Sequence, residues 1–203
     1  MRDLAIVVPD KAIEQSIRGI LAKHERIGMR PVDPPTVQVH SNRDPGVWKT
    51  GHELLRFHAE THRHGLLLLD AAWQGCPADT ESLAAQIEAR CRPDWGDRVR
   101  CIVLVPEIEV WVWSGSQQVA EVLGWRTIGE LRSWLGDRGL WRSGDRKPRD
   151  PKKAFEASCR EKRIPPSAAL FGQLAERVSF QRCEDPAFND LLRTLRAWFP
   201  PSA

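Results

Sequence analysis

The feature that most constrains this fold is the alternation, over the first 105 residues, of short β-branched or apolar runs with amphipathic stretches. Four runs predict strands, at 4–8, 36–40, 66–69 and 99–105. Between them lie stretches with apolar residues at helical spacing, at 12–27, 47–63 and 78–91. Strands that alternate with helices are typical of a parallel sheet covered by helices. The sequence therefore predicts an α/β domain over residues 1–115, built on a mainly parallel four-stranded sheet.

The rest of the chain, residues 116–203, is predicted to be a helical region that packs against the sheet. Its helices are expected at 116–123, 127–138, 152–162, 167–178 and 186–198. The segment PEIEVWVW at 106–113, between the two parts, is ambiguous. Its β-branched Val110 and Val112 favour a continued strand, whereas Pro106 is typical of the first residue of a helix.

Composition and motifs exclude several classes of protein. The five cysteines never form a CxxC pair and are odd in number, which argues against a zinc ribbon and a disulfide framework. The chain has no GxGxxG, P-loop or GxSxG motif, so Walker-type nucleotide hydrolysis and serine-triad chemistry are excluded. It has neither an apolar run of about 18 residues nor a signal-peptide core. We therefore expect a cytoplasmic protein with no membrane partner.

Acidic residues follow three of the predicted strands. Asp10 comes after the first strand, Asp70 ends the third, and Glu107 and Glu109 follow the fourth. The carboxyl ends of parallel strands share one edge of a sheet, where open α/β sheets bind ligands. Because Mg²⁺ prefers oxygen ligands and often binds substrate phosphates as well, these four acids predict a weak Mg²⁺ site. The alternative is that they are ordinary turn and helix-cap residues.

The positive charge of the chain is concentrated in residues 142–163. This basic loop has nine Lys or Arg and four acidic side chains, whereas the whole chain has a net charge of only +3. Its first part predicts contacts with the phosphates of DNA or RNA. The residues expected to make these contacts are Arg142, Arg146, Lys147, Arg149, Lys152 and Lys153. Trp141 and Phe155 lie nearby as candidates for stacking on bases. The alternative is a solvated charged surface.

The order of these motifs resembles a known group. VVPDKAIEQ after the first strand, LLLLDAAWQ at the end of the third and IVLVPEIEVW after the fourth resemble the Toprim-related proteins of bacterial defence islands, the RloB-like group and its uncharacterised relatives. DPKKAF at 150–155 and CEDPAFNDLLRTLRAW at 183–198 are similar to C-terminal segments of the same group. A second similarity is to a small subunit of methylation-associated defence systems.

The resemblance implies roles for particular residues. Asp10 stands where the group has a catalytic Glu, and Glu14 stands at the acid four residues later. The group's Asp-x-Asp motif is reduced here to Asp70, because position 72 is an alanine. The resemblance also implies that 106–113 begins a helix, which we prefer to a continued strand.

Two functions follow from this resemblance. Because one carboxylate is missing, we predict a degenerate Toprim-like fold in a non-catalytic or partner-dependent subunit of an anti-phage defence system, bound to other defence proteins. The alternative is a Mg²⁺-dependent nuclease that cleaves phosphodiester bonds of DNA or RNA. Its catalytic residues would be Asp10, Glu14, Asp70 and Glu107.

Overall fold

The computed structural model describes residues 1–179 and 183–201. Its sheet has four strands: β1 (Arg2–Val8), β2 (Thr36–Val39), β3 (His62–Asp70) and β4 (Val99–Leu104). All neighbouring strands are parallel, in the order β2-β1-β3-β4. The predicted α/β class and the four-stranded parallel sheet are therefore confirmed.

The helices connect and cover the strands. They are α1 (Lys11–Ala22), α2 (His24–Ile27), α3 (Arg43–Arg56), α4 (Thr80–Trp95), α5 (Glu109–Val112), α6 (Gln117–Val122), α7 (Ile128–Asp137), α8 (Pro151–Glu161), α9 (Ala168–Arg177) and α10 (Pro186–Trp198). Several begin at a side chain that accepts a hydrogen bond from the first turn, as Asp79 does for α4 and Ser167 for α9. No helix in the part of the chain that the structure describes has the length and apolar character needed to cross a bilayer.

Two predicted helices have different ends. The helix predicted at 47–63 ends at Arg56, because a turn at His58 leads directly into β3. In this turn the His58 carbonyl oxygen accepts hydrogen bonds from the N–H groups of Thr61 and His62. The helix predicted at 12–27 stops at Ala22 and is followed by the short α2, which ends at Gly28 with a left-handed φ of 75°.

The ambiguous segment 106–113 forms a turn and the short helix α5, so a continued strand is wrong there. The carbonyl oxygen of Pro106 accepts hydrogen bonds from the backbone N–H groups of Ala71 and Ala72, each at 3.0 Å. These bonds tie the segment after β4 to the loop after β3 and turn it away from the strand direction.

The two faces of the sheet are buried by different helices. Ala5, Val7, Leu67 and Leu69 share one core with α3 and α4. Alternate residues of the same strands, such as Ile6, point to the other face and share a core with α1 and the C-terminal helices. Residues before and after 115 therefore belong to one core, and position 115 marks a change from sheet to helices.

The packing of α1 on α9 is close enough to require glycine. A Cβ atom at Gly19 would lie 2.7 Å from the Cβ of Ala175 and 3.1 Å from the carbonyl oxygen of Gly172. The C-terminal region is thus fitted to the sheet domain through α1, whose N-terminus carries Asp10.

Candidate acidic site at the carboxyl edge of the sheet

The carboxyl ends of the strands bring a group of acidic side chains together. Asp70 is the last residue of β3 and pairs in register with Leu104 of β4. Four other carboxylates lie close enough to raise its pKa by repulsion. We call the five residues the acidic edge: Asp10, Asp44, Asp70, Glu107 and Glu109.

Asp70 is the centre of the acidic edge. Its residue is 9% exposed, and its Oδ1 atom has no hydrogen-bond partner among the described residues. Burial raises the pKa of its carboxyl well above the usual value, and the charges of the neighbouring carboxylates, Asp44 first, raise it further. A buried carboxylate without a partner is costly, and a bound cation would relieve that cost.

Asp44 is a member of the site that sequence reasoning missed. It lies in the first turn of α3, and its Oδ1 accepts a hydrogen bond from the backbone N–H of Asp70 at 2.8 Å. Burial raises the pKa of its carboxyl, as do the charges of Asp10 and Glu107. A helix predicted to begin at 47 left Asp44 unassigned. Its position shortly after the second strand is the signal that was available, since that strand ends at the same edge.

Asp10 and Glu14 have separate roles. The Asp10 Oδ1 atom accepts a hydrogen bond from the Ile13 N–H at 3.0 Å and caps α1. Glu14 is buried and bound by Lys11 at 2.6 Å and Arg18 at 3.0 Å. Burial alone would raise the pKa of Glu14, but the hydrogen bonds from Lys11 and Arg18 outweigh it and lower that pKa overall. Glu14 is therefore neutralised by its own helix.

The two glutamates after β4 also differ from each other. Glu107 forms an ion pair with Lys152 of α8. Glu109 is 8% exposed, and its Oε2 atom has no partner within residues 1–179 and 183–201. Burial raises the pKa of Glu109, and the charge of Glu107 adds to the effect. The acidic edge thus contains one carboxylate neutralised by a lysine and two with unpartnered oxygens.

No set of three or more His, Cys, Asp or Glu side chains within the described ranges is arranged to hold a metal ion by itself. Mg²⁺, however, commonly binds through one or two carboxylates together with water and substrate phosphates. Asp70 and Asp44 supply such a pair. The described residues therefore offer no all-protein metal cage, and Asp44 and Asp70 are the residues that would hold an Mg²⁺ ion bound together with a phosphate.

The predicted nucleic-acid residues divide into two groups. Four of them already have partners in this chain. Arg146 pairs with Glu184, Arg149 lies 3.3 Å from Asp145, Lys147 donates to the Val110 carbonyl at 3.0 Å, and Lys152 binds Glu107. Arg142 and Lys153 are exposed and have no acidic partner in the part of the chain described. Among the described residues, these two side chains of the predicted set have no ion-pair partner, whereas Arg146 and Arg149 are exposed but paired.

The two aromatic residues proposed for base stacking are buried. Trp141 is 5% exposed, donates to the Asp145 carbonyl at 2.8 Å and packs edge-on against Trp113. Phe155 is 1% exposed and packs against Phe171. The expectation that they stack on bases is wrong, because the Phe155 ring faces the core from the buried side of α8 and the Trp141 ring packs into the core from the segment between α7 and α8.

Comparison with known proteins gives no matching family model, no matching curated protein and no matching solved structure.

Proposed function

We propose that this chain is a divalent-cation-dependent phosphodiesterase of a bacterial anti-phage defence system, with Mg²⁺ as its ion and a nucleic acid as its substrate. The observation that carries the proposal is the buried Asp70 oxygen, which has no partner in the described part of the chain and lies among four other carboxylates. Defence membership depends on the motif resemblance alone.

The position of Asp44 is the reason to prefer an enzyme. The resemblance left Asp70 without a second carboxylate, because Ala72 stands at that position. Asp44 reaches the backbone of Asp70 from α3 and supplies a carboxylate from another element. This arrangement supports the nuclease, which the sequence alone favoured less.

The chain's own residues would divide the work at this edge. Asp70 and Asp44 would hold the ion, which when bound polarises a phosphoryl oxygen and lowers the pKa of a bound water. Lys152 partly offsets the negative charge of Glu107. Arg142 and Lys153, which are exposed in and beside the loop before α8, would attract the phosphate backbone over a longer range.

A metal titration followed by a cleavage assay tests the proposal. Calorimetric titration of the full chain with Mn²⁺ or Mg²⁺ should show binding that weakens at least about tenfold in Asp70→Asn, since one ion ligand is lost. Wild type should then cleave at least one of plasmid, single-stranded DNA and RNA, and Asp70→Asn should cleave none of them. The matched control is Glu60→Gln, which removes an exposed carboxylate in the turn before β3. Equal metal affinity in wild type and Asp70→Asn would contradict the proposal.

A second candidate is a non-catalytic, partner-dependent defence subunit. The observation that favours it is the neutralisation of two of the four predicted catalytic acids, Glu14 by Lys11 and Arg18 and Glu107 by Lys152. In that case, proteins encoded beside this chain should co-purify with wild type and Asp70→Asn equally, and no substrate should be cleaved with either metal. Metal-dependent cleavage by the purified complex that Asp70→Asn abolishes would exclude it.

A further inference from the structure

Two tryptophans lie beside the acidic edge. Trp48 is on α3, one helical turn after Asp44, so both side chains share one face of the helix. Trp73 is in the loop between β3 and α4, three residues after Asp70. The centroids of the two rings are 5.3 Å apart, and their planes are tilted by 38°. The two rings thus form one aromatic pair, in which Trp48 shares a helix with Asp44 and Trp73 follows Asp70 in the loop after β3.

The loop that carries Trp73 begins directly after Asp70, whose backbone N–H donates to the Asp44 carboxylate. The backbone N–H of Cys76 donates to the carbonyl oxygen of Trp73 at 3.1 Å and closes a turn. Burial raises the pKa of the Cys76 thiol, and the charge of Asp44 raises it further, so the turn is close to that carboxylate. One turn of α-helix rises about 5.4 Å. The aromatic pair therefore begins about one helical turn from the acidic edge.

The aromatic pair differs from the tryptophans that pack the helical region. Three of those, Trp111, Trp113 and Trp141, are buried and donate their indole N–H groups to acceptors in the chain. Trp125 is also buried, and its N–H has no acceptor among the described residues. Trp48 and Trp73 are only half-buried, and their N–H groups have no acceptor among residues 1–179 and 183–201. Trp73 belongs to neither core cluster. Core packing therefore does not account for the position of Trp73.

A cation completes the surroundings of the pair. The exposed Lys49 Nζ lies 6.0 Å from the centroid of the Trp48 ring. Aromatic faces beside a positive side chain are the usual means of holding single-stranded nucleic acid, because every base has a flat face and every nucleotide has a phosphate.

We propose that Trp48 and Trp73 stack on an unpaired nucleobase of a single-stranded nucleic acid whose phosphate is held at the acidic edge. The inference rests on the proposed function, because it takes the acidic edge as the phosphate site. In a duplex each base is stacked on its neighbours and is not free to stack on a protein ring. The aromatic pair therefore selects single strands, and Lys49 contacts a phosphate next to the stacked base.

Fluorescence anisotropy with the full chain in Ca²⁺ tests this inference. The labelled probes are a short oligothymidylate, an abasic strand of the same length and a duplex of the same length. Wild type should bind the oligothymidylate more tightly than the abasic strand by roughly 5- to 150-fold, the effect of stacking one base. Trp73→Ala should lose that preference. Trp134→Ala is the matched control, since Trp134 is half-buried in a similar tilted pair with Trp125 away from the acidic edge.

The abasic comparison uses wild-type protein, so it does not depend on a variant that folds. Trp73→Phe, which keeps an aromatic face, should retain most of the preference for bases. Equal binding of the base-containing and abasic strands by wild type, an unchanged preference in Trp73→Ala, or no binding of any strand would overturn the inference. Failure of the proposed function appears separately, as absent Mn²⁺ binding in a titration that contains no nucleic acid.

Discussion

Replacement of Asp70 by asparagine should stabilise the metal-free protein near neutral pH. The carboxylate is buried, one of its oxygens has no partner in the described chain, and four other carboxylates repel it. Asparagine has the same shape, carries no charge and can donate from its amide to the neighbouring carboxylates. An unsatisfied buried polar group costs about 1–3 kcal/mol, so Asp70→Asn should gain a free energy of unfolding of that order.

The gain should appear as a shift in melting temperature. For a chain of this size, 1 kcal/mol changes the melting temperature by about 2–4 °C, so the expected increase is roughly 2–12 °C in differential scanning calorimetry. The exposed-site control Glu60→Gln should melt within about 1–2 °C of wild type. The same concentration of Mn²⁺ should raise the melting temperature of wild type more than that of Asp70→Asn, because the stabilisation by a ligand falls as its affinity for the folded state falls.

The pH dependence of this gain has a definite sign. Burial and repulsion raise the pKa of Asp70 above 3.8, so the folded state holds the proton to a higher pH than the unfolded state does. Below about pH 4 the carboxyl is protonated in both states and the advantage of Asp70→Asn should vanish. The advantage should grow as the pH rises and become constant above the pKa of the folded protein. An Asp70→Asn protein that melts at or below the wild-type temperature near neutral pH would refute the reasoning.

Three further predictions concern other parts of the molecule. Two hydrogen bonds from Arg30 lower the pKa of the buried Asp3 from 3.8 to about 2. The Asp3–Arg30 pair should therefore contribute about 2 kcal/mol to the free energy of unfolding above pH 4, and this contribution should be lost between pH 4 and 2. Acid titrations followed by circular dichroism should show that loss in wild type and not in Asp3→Asn. Gly19→Ala should lower the free energy of unfolding in urea by about 1–3 kcal/mol, because the new Cβ would lie 2.7 Å from the Cβ of Ala175. The control Gly129→Ala, in α7, places its Cβ in ordinary contact and should leave the protein equally stable or more stable. Lys152→Gln should tighten Mn²⁺ binding by roughly 1.5- to 5-fold, since it frees Glu107 from its ion pair. The control Lys153→Gln, at the exposed neighbouring residue, should leave the affinity unchanged. Equal affinities in wild type, Lys152→Gln and Lys153→Gln would show that the ion pair does not compete with the metal.

The sequence predicted the strands and most helices because their signals are local. In runs such as 66–69 all the side chains are apolar, and alternate ones point to opposite faces of the sheet. A parallel strand that lies between two layers of helices requires apolar side chains on both faces. The helix predicted at 47–63 was too long, because its polar end carries no apolar period. The turn at His58 is closed by backbone hydrogen bonds and by the Thr61 hydroxyl, which donates to the His58 carbonyl.

The acidic site was predictable in part, for a different reason. Asp10, Asp70, Glu107 and Glu109 were found by their positions after strands, and these positions follow from parallel topology. The pairing of Lys152 with Glu107 was not predictable, since it joins residues 45 positions apart through the packing of α8 near α5. The burial of Trp141 and Phe155 likewise depends on the faces that their segments turn to the core, which charge patterning does not reveal.

Two buried aspartates at opposite ends of the strands differ in their surroundings. At the amino end of β1, Asp3 is also buried from solvent, but Arg30 and the Asp33 N–H satisfy its oxygens and lower its pKa to about 2. At the carboxyl end, Asp70 is surrounded by like charges, and its pKa is raised. Asp3 thus has hydrogen-bond partners for its oxygens, whereas the Oδ1 atom of Asp70 has none among the described residues. A strongly perturbed carboxylate in such a position is typical of a group whose partner is a ligand.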